Sequence, residues 1–290
     1  ATNLSDVAAM GAVPVALTVA LACPAETPAG LLEEIARGLD AACRALAPGC
    51  GVVGGDLGRA PVLTAAVTAL GELSGRQAVL RSGARVGDTV AYAGHLGLSG
   101  LGFSLLSALD AEESSVERRG IQRRGIQRHE AEAVAELRVR HPLALRAHLA
   151  PQPPVRLGPI AALAGATAML DVSDGLALDA ARIGRASRVS LDLDPGLLRD
   201  GFGEQGEPGA TERVPLERML FGGEDHGLLA TFPAGTALPP GFLPVGAVVP
   251  SGGVGPGGVL LGGEPIDPGG WDPFARARGS GREPQRRPEL

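Results

Sequence analysis

The sequence predicts a two-domain protein of the α/β or α+β class. Three observations point there. Short apolar runs of strand length alternate with stretches of helical periodicity in both halves of the chain. Pro151-Gln-Pro-Pro154 marks a sharp change of composition near the middle, and prolines of this kind stiffen linkers. The 290 residues, 44% of them hydrophobic, carry enough apolar surface for two modest cores. We therefore expect one domain over residues 1–149, a second over 150–275 and a disordered tail over 276–290.

The elements follow in order. Asn3-Leu-Ser-Asp6 leads into Val7–Gly11, which reads as a helix capped by Ser5 or Asp6. Val15–Leu21 reads as a strand, and Pro28–Leu46 as a helix because Leu, Ile and Ala recur at helical spacing. Gly51-Val-Val-Gly-Gly-Asp56 reads as a short buried strand ending in a Gly-Gly-Asp turn. Pro61–Leu70, Gln77–Val79 and Thr89–Ala93 suggest further strands. A helix opens at Leu98 and runs through Leu109 into a strongly charged region, Asp110–Arg140. There Arg119-Gly-Ile-Gln-Arg123 is repeated at once as Arg124–Arg128, too short for a solenoid unit and expected in a tolerant surface loop. Past the prolines come a helix (Ile160–Ala168), a strand end (Met169–Ser173) and a second helix (Leu176–Ile183).

Composition removes several classes of function. The net charge of −6 argues against a nucleic-acid binder, which normally carries a basic face. All 26 basic residues are arginine, so the chain carries no Walker A lysine, no protein-kinase strand lysine and no pyridoxal Schiff-base lysine. Cys23, Cys43 and Cys50 form no C-x-x-C pair, which suits a reducing cytoplasm better than a disulfide frame or a zinc site. Val13–Cys23 is apolar but too short to span a bilayer. Gly253–Gly258 matches G-x-G-x-x-G, yet Pro256 sits inside it and no helix is expected after it. The five histidines show neither zinc-ligand spacing nor a Ser-His-Asp arrangement.

What remains is acidic. Asn3-Leu-Ser-Asp6, Gly54-Gly-Asp56, Asp171-Val-Ser-Asp174-Gly175 and Gly222-Gly-Glu224-Asp225 each set a carboxylate beside small or turn-forming residues. Carboxylates are hard oxygen ligands, and magnesium takes one or two of them with phosphate oxygens and waters. Glycines let the backbone approach a ligand, and bare N–H groups cradle phosphate. Two like charges about 4 Å apart repel by roughly 4 kcal/mol at an effective dielectric near 20. Convergence of these loops would therefore call for a divalent cation. Each motif also has a plainer reading: Gly-Gly-Asp as a turn, Asp6 or Asp174 as a helix cap. Asp171 and Asp174, three apart across a strand-to-helix junction, can aim at one ion.

Taken in order, the motifs resemble the thiamine-monophosphate kinase family, in the superfamily that includes aminoimidazole ribonucleotide synthetase. The matching text is Asn3–Pro14, Gly51–Asp56, Leu80–Gly102, Met169–Gly184, Gly222–Ala230 and Gly269–Phe274. The resemblance implies an aminoimidazole ribonucleotide synthetase-like two-domain fold with an incomplete N-terminal domain, because the family's upstream segment precedes this sequence. It implies ATP-dependent phosphorylation of thiamine monophosphate in a cytoplasmic homodimer, with several magnesium ions and ATP in the cleft, and no nucleic-acid or membrane partner. Carried across, Asp6, Asp56, Asp171 and Asp174 hold magnesium; Gly55, Asp56, Arg81 and Ser173 meet ATP; Glu224 and Trp271 meet the thiamine moiety. No acid–base residue is implied, since the acceptor is already an ionised phosphate. The family's usual Tyr-Glu after Gly-Gly-Glu-Asp is here His226-Gly227, and its late Asp-His-Phe is Asp272-Pro273-Phe274. Two further readings stand beside this one: another ATP-dependent synthetase of the superfamily, and a homologue that binds nucleotide or thiamine phosphate without turnover.

Overall fold

The computed structural model describes residues 1–117, 123–252 and 255–270. The first part runs α1 (Thr2–Ala9), β1 (Val13–Cys23), α2 (Ala29–Leu46), β2 (Gly51–Arg59) and β3 (Thr64–Glu72). Then come β4 (Thr89–Ala93), α3 (Leu98–Glu117), α4 (Arg123–Arg140), α5 (Pro142–Leu149), α6 (Leu157–Leu163), β5 (Ala168–Val172) and α7 (Leu176–Ser187). β6 (Ser190–Leu193), α8 (Pro195–Phe202), β7 (Glu204–Glu207), β8 (Ala210–Arg213) and α9 (Leu216–Phe221) follow. The last strands are β9 (Gly227–Phe232), β10 (Phe242–Val249), β11 (Val259–Leu261) and β12 (Glu264–Ile266).

These strands form a three-stranded sheet, β2-β1-β3, a seven-stranded sheet, β12-β11-β6-β10-β4-β9-β5, and the β7-β8 hairpin. In the small sheet β1 runs parallel to β2 and antiparallel to β3. Thr89–Ala93, which precedes the Pro151–Pro154 stretch, lies inside the larger sheet between β9 and β10.

The period-2 alternation of the strands sorts the larger sheet's side chains into two cores. Val90, Tyr92, Leu170, Val172 and Leu229 enter one, under α7 and α8. Ala91, Ala93, Met169, Leu228, Ala230 and Phe232 enter the other, with Ala9 of α1 and Ala161 of α6. A third core holds Leu4 and Ala8 of α1 with Leu17 of β1, Cys43 and Cys50. Helix α1 is thus shared. Its Leu4 and Ala8 serve the small sheet while Ala9 serves the large one.

The structure alters several expectations. Ser5 and Asp6 lie within α1 rather than capping it, and the helix has no side-chain cap. β2 continues through Gly54-Gly-Asp56 to Arg59 and is largely exposed, because its parallel pairing with β1 persists to Cys23↔Arg59. Gln77–Val79 forms no strand; Val79 only donates its N–H to the Met10 carbonyl. The helix expected over Ile160–Ala168 starts at Leu157 and ends at Leu163, shortly before Gly165 turns left-handed at φ 87°. The second Arg-Gly-Ile-Gln-Arg copy lies in α4 rather than a loop, whereas residues 119–122 of the first copy lie outside the described residues. The tail over 276–290 and Trp271 also lie outside them.

One contact explains a departure in the sequence. Tyr92 is fully buried, packs edge-on against Phe202 (87°, centroids 5.4 Å apart), and donates its hydroxyl to the His95 carbonyl at 2.6 Å. A Cβ at Gly227 would fall 2.0 Å from that hydroxyl, so only glycine fits opposite Tyr92. Gly227→Ala should destabilise the protein by about 2 kcal/mol or more through overpacking, read as a lower urea midpoint. Tyr92→Phe added to it should recover part of the loss. A neutral Gly227→Ala would show that this contact is not tight.

Candidate active site

The site grows from the pairing of β5 with β9. On β5, Asp171 shares a face with Met169, and on β9 Leu228 and Ala230 line the same core. Asp171 pairs with Leu228, and His226, just before β9, is tied to the neighbouring Val172 carbonyl by its N–H at 2.9 Å. Helix α1 lies over this face. Thr2, Ser5, Asp6 and Ala9 are spaced i, i+3, i+4, i+7 on one side of the helix, with Ser5 and Ala9 buried and Thr2 and Asp6 exposed.

The contacts follow that side. Ser5 Oγ donates to Asp171 Oδ2 at 3.1 Å and lies 2.7 Å from the Thr2 carbonyl. His226 Nδ1 lies 3.3 Å from the same Asp171 oxygen, and its Nε2 lies 3.3 Å from Thr2 Oγ1 and 3.6 Å from Glu224 Oε2. Burial pulls the imidazole toward neutrality, but hydrogen bonds to Asp171 and Glu224 and their charges outweigh it and hold the ring protonated up to about 9. Burial, then the charge and hydrogen bond of Asp171, push the Asp6 carboxyl up to about 6, against the charges of His226 and Arg81. Asp171 and Glu224 therefore flank one buried histidine, Asp6 adjoins Asp171, and the charge of Arg81 is felt at Asp6.

The backbone that aims these groups is strained. Glu224 and His226 both adopt left-handed φ, 68° and 54°, a conformation costing a non-glycine residue on the order of 1 kcal/mol. Their N–H groups donate to the Ser173 and Val172 carbonyls at 2.8 and 2.9 Å, tying the Gly-Gly-Glu-Asp loop to the Asp171–Asp174 turn. Between them Asp225 points inward, 5% exposed, and accepts the N–H groups of Gly97 at 2.6 Å and Ser99 at 2.9 Å at the start of α3. Successive residues are thus sent to opposite sides: Glu224 to the surface, Asp225 into the protein and His226 to Asp171.

Asp174 does not cap α7. Gly175 stands at the N-cap with φ 120°, and the buried Asp179 reaches back to accept the N–H groups of Ser173 and Asp174, each at 3.1 Å. Arg182 NH1 bridges Asp174 Oδ2 at 2.6 Å and Asp179 Oδ1 at 2.5 Å. Burial pushes the Asp179 carboxyl up to about 6 even with these donors around it.

Of the residues singled out from sequence, Asp6, Asp171, Ser173, Asp174, Glu224 and Arg81 belong to this neighbourhood. Gly55 and Asp56 do not join it. They lie on β2, where Gly55 pairs with Val19 and Asp56 with Ala20, and Asp56 stands exposed on the face turned from Leu17 and Val67. Among the described residues no three His, Cys, Asp or Glu side chains are grouped to hold a metal ion. Ser5, His226, Asp225, Asp179 and Arg182 were missed as site residues. Nothing in the sequence signals His226, whereas the i, i+3 spacing of two opposite charges could have found Asp179 and Arg182. An open cavity of about 570 Å³ is lined by Gln77, Leu80, Ser82, Ala166 and Thr167 among others, and by none of the described site residues singled out from sequence.

Comparison with known proteins places this geometry. The N-terminal domain model of AIR synthase related proteins matches residues 1–73. A thiamine-monophosphate kinase of Mycobacterium tuberculosis is 38% identical over 267 residues, covering 91% of this chain and 69% of the relative. The chain belongs to the thiamine-monophosphate kinase family. The Synechococcus elongatus member is 34% identical, over 79% of this chain and 62% of its own length. Among solved structures, AaThiL complexed with AMPPCP and TMP superposes with a TM-score of 0.69 at 27% identity, covering 94% of this chain and 78% of that one. Within the family, His226-Gly227 now has a physical account: Gly227 makes room for Tyr92, and His226 supplies a cation between Asp171 and Glu224.

Burial pushes the Asp225 carboxyl up to about 7, although the N–H groups of Ser99, Gly97 and Leu98 and the charge of His226 act the other way. A carboxyl whose folded value exceeds its ordinary 3.8 binds its proton more tightly when folded. Its contribution to stability is largest below about pH 4 and declines as pH rises toward about 7. The stability advantage of the parent over Asp225→Asn should therefore shrink with rising pH across that window, by at most roughly 1.4 kcal/mol per pH unit. Urea melts at several pH values measure it, and a pH-independent difference would refute the assignment.

Proposed function

We propose that this chain transfers the γ-phosphoryl group of ATP to the phosphate of thiamine monophosphate, yielding thiamine diphosphate and ADP. The observation that carries the reading is the facing pair Asp6 and Asp171, with Arg81 and Glu224 beside it, in a chain of this family. AMPPCP, bound with TMP in the related structure, is ATP with a methylene in place of the β–γ bridging oxygen, so both reactants have counterparts there.

A phosphate oxygen of thiamine monophosphate attacks the γ-phosphorus; the bond to the β–γ bridging oxygen breaks, and its electron pair leaves with ADP. The nucleophile is already ionised, so no general base is required and the task is alignment and charge neutralisation. Arg81 offers a planar fork of donors for phosphate oxygens. Ser173, held by Asp179 through its N–H, presents a hydroxyl at the same turn. We assign the exposed Glu224 to the cationic thiazolium, and Trp271 to the same moiety.

The residues fit magnesium as far as Asp6 and Asp171 reach. Two adjacent carboxylates, one so hard to ionise that it holds a proton up to about 6, form a hard oxygen pair of the kind magnesium takes with phosphates and water. We assign Asp6 and Asp171 to a shared ion, Asp174 to a neighbouring one, and Asp56 with Gly55 to the nucleotide side from the small sheet. Bound there, magnesium would supply charge neutralisation between the two phosphates. We further assign a homodimer through the small sheet, whose β2 leaves Val52, Val53 and Leu57 exposed at 46%, 68% and 58%, and a cytoplasmic location.

Purified chain given ATP, thiamine monophosphate and magnesium should form thiamine diphosphate and ADP in equal amounts, and chelation should abolish it. ATP consumption without thiamine diphosphate would overturn the reading. Asp171→Asn should lower kcat by about a hundredfold or more, since metal-borne charge stabilisation is worth several kcal/mol. An unchanged kcat would remove Asp171 from the reaction.

A further inference from the structure

Arg182 is not among the residues that the family resemblance brings to the reaction, yet it holds one of the carboxylates assigned to metal. Its NH1 is 2.6 Å from Asp174 Oδ2, and the same nitrogen is 2.5 Å from Asp179 Oδ1. The two acids are unlike. Asp179 has a side chain 2% exposed, and its other oxygen is already occupied by the N–H groups of Ser173 and Asp174. Asp174 has a side chain 23% exposed. A buried carboxylate left without its cation is expensive, whereas a part-exposed one can exchange its partner with solution.

We propose that Arg182 is a resident counter-ion for Asp174 that a divalent cation displaces, and that Asp179 is where the guanidinium stays when this happens. The proposal rests on the assignment of Asp174 to a metal ion. A guanidinium bonded to Asp174 and a divalent cation bonded to it repel each other at close range, so binding the cation means giving up the Arg182–Asp174 contact. The Arg182–Asp179 contact need not break, because Asp179 uses its Oδ1 for Arg182 and keeps the Ser173–Asp174 backbone in place through two bonds accepted at Oδ2. Arg182 is thus a positioning residue. It balances the charge of Asp174 through the contact at 2.6 Å, and sets how tightly the cation must bind to take over.

The test uses manganese, which shares magnesium's preference for oxygen ligands and is read directly by its electron paramagnetic resonance signal. The full chain is titrated with manganese alone, so the readout is cation affinity rather than turnover. Arg182→Gln, which removes the competing charge, should bind manganese roughly ten- to a hundredfold more tightly, the factor expected when one charge-assisted hydrogen bond no longer has to be broken. Arg182→Lys keeps a cation on Asp174 and should restore an affinity close to the parent's. Damage to the fold would weaken binding in both, so tighter binding in the Gln variant alone is specific to the counter-ion role. Equal or weaker binding by a folded Arg182→Gln would overturn the proposal. Asp174→Asn separates the two layers: weakened binding there supports the metal assignment on its own, whereas unchanged binding removes Asp174 from the metal site and overturns both.

Discussion

Everything at this site depends on one short helix lying across the edge of the larger sheet. Helix α1 spans only Thr2–Ala9, yet it feeds the core of both sheets and brings Ser5, Asp6 and Thr2 onto Asp171 and His226. Neither sheet alone makes the site. The larger one contributes Asp171 from β5 and His226 from the turn into β9, and α1 supplies the second carboxylate. Because Leu4 and Ala8 are locked into the small-sheet core, the distance between Asp6 and Asp171 is set by packing between the two sheets. That is a rigid way to hold two like charges together.

Holding them there is costly, and the surrounding chemistry offsets the cost in three ways. His226 stays protonated between Asp171 and Glu224, supplying positive charge inside the cluster. Asp6 is forced toward its neutral form, so one proton does part of the work of a cation. Arg182 neutralises Asp174 and Asp179 together. The left-handed backbone at Glu224 and His226 is a further expense, held in place by Asp225 on the α3 N–H groups and by the bonds to Val172 and Ser173. A site that concentrates so much unfavourable charge and strain is suited to receiving polyphosphate with its metal, which relieves the first of these.

The sequence exposed most of the elements and about half of the site. Strands such as β1 and β4 and helix α7 were legible because apolar periodicity and flanking Gly or Asp mark them locally. The membership of β4 in the larger sheet was not, because its partners β9 and β10 lie more than a hundred residues downstream. Gly54-Gly-Asp56 looks like a turn by composition, and only the parallel register with β1 reveals that the strand runs through it; Gly55 is needed because a Cβ there would meet the Val19 carbonyl at 1.9 Å. Asp6 and Asp174 were each readable as ligand or cap. Tertiary placement settles the helix question against capping in both cases: Asp6 is turned to Asp171 and Asp174 to Arg182. His226 was hidden by its surroundings, since nothing local distinguishes a histidine that will sit between two acids from any other.

The account's central claim is that Asp6 and Asp171 together form the cation site, with α1 as the element that closes it. A crystal structure of the chain with magnesium and AMPPCP tests this most directly. The account predicts a metal ion bridging the two carboxylates and a phosphate oxygen, with Ser5 still bonded to Asp171. Magnesium bound elsewhere, with Asp6 and Asp171 still sharing a proton beside His226, would contradict it.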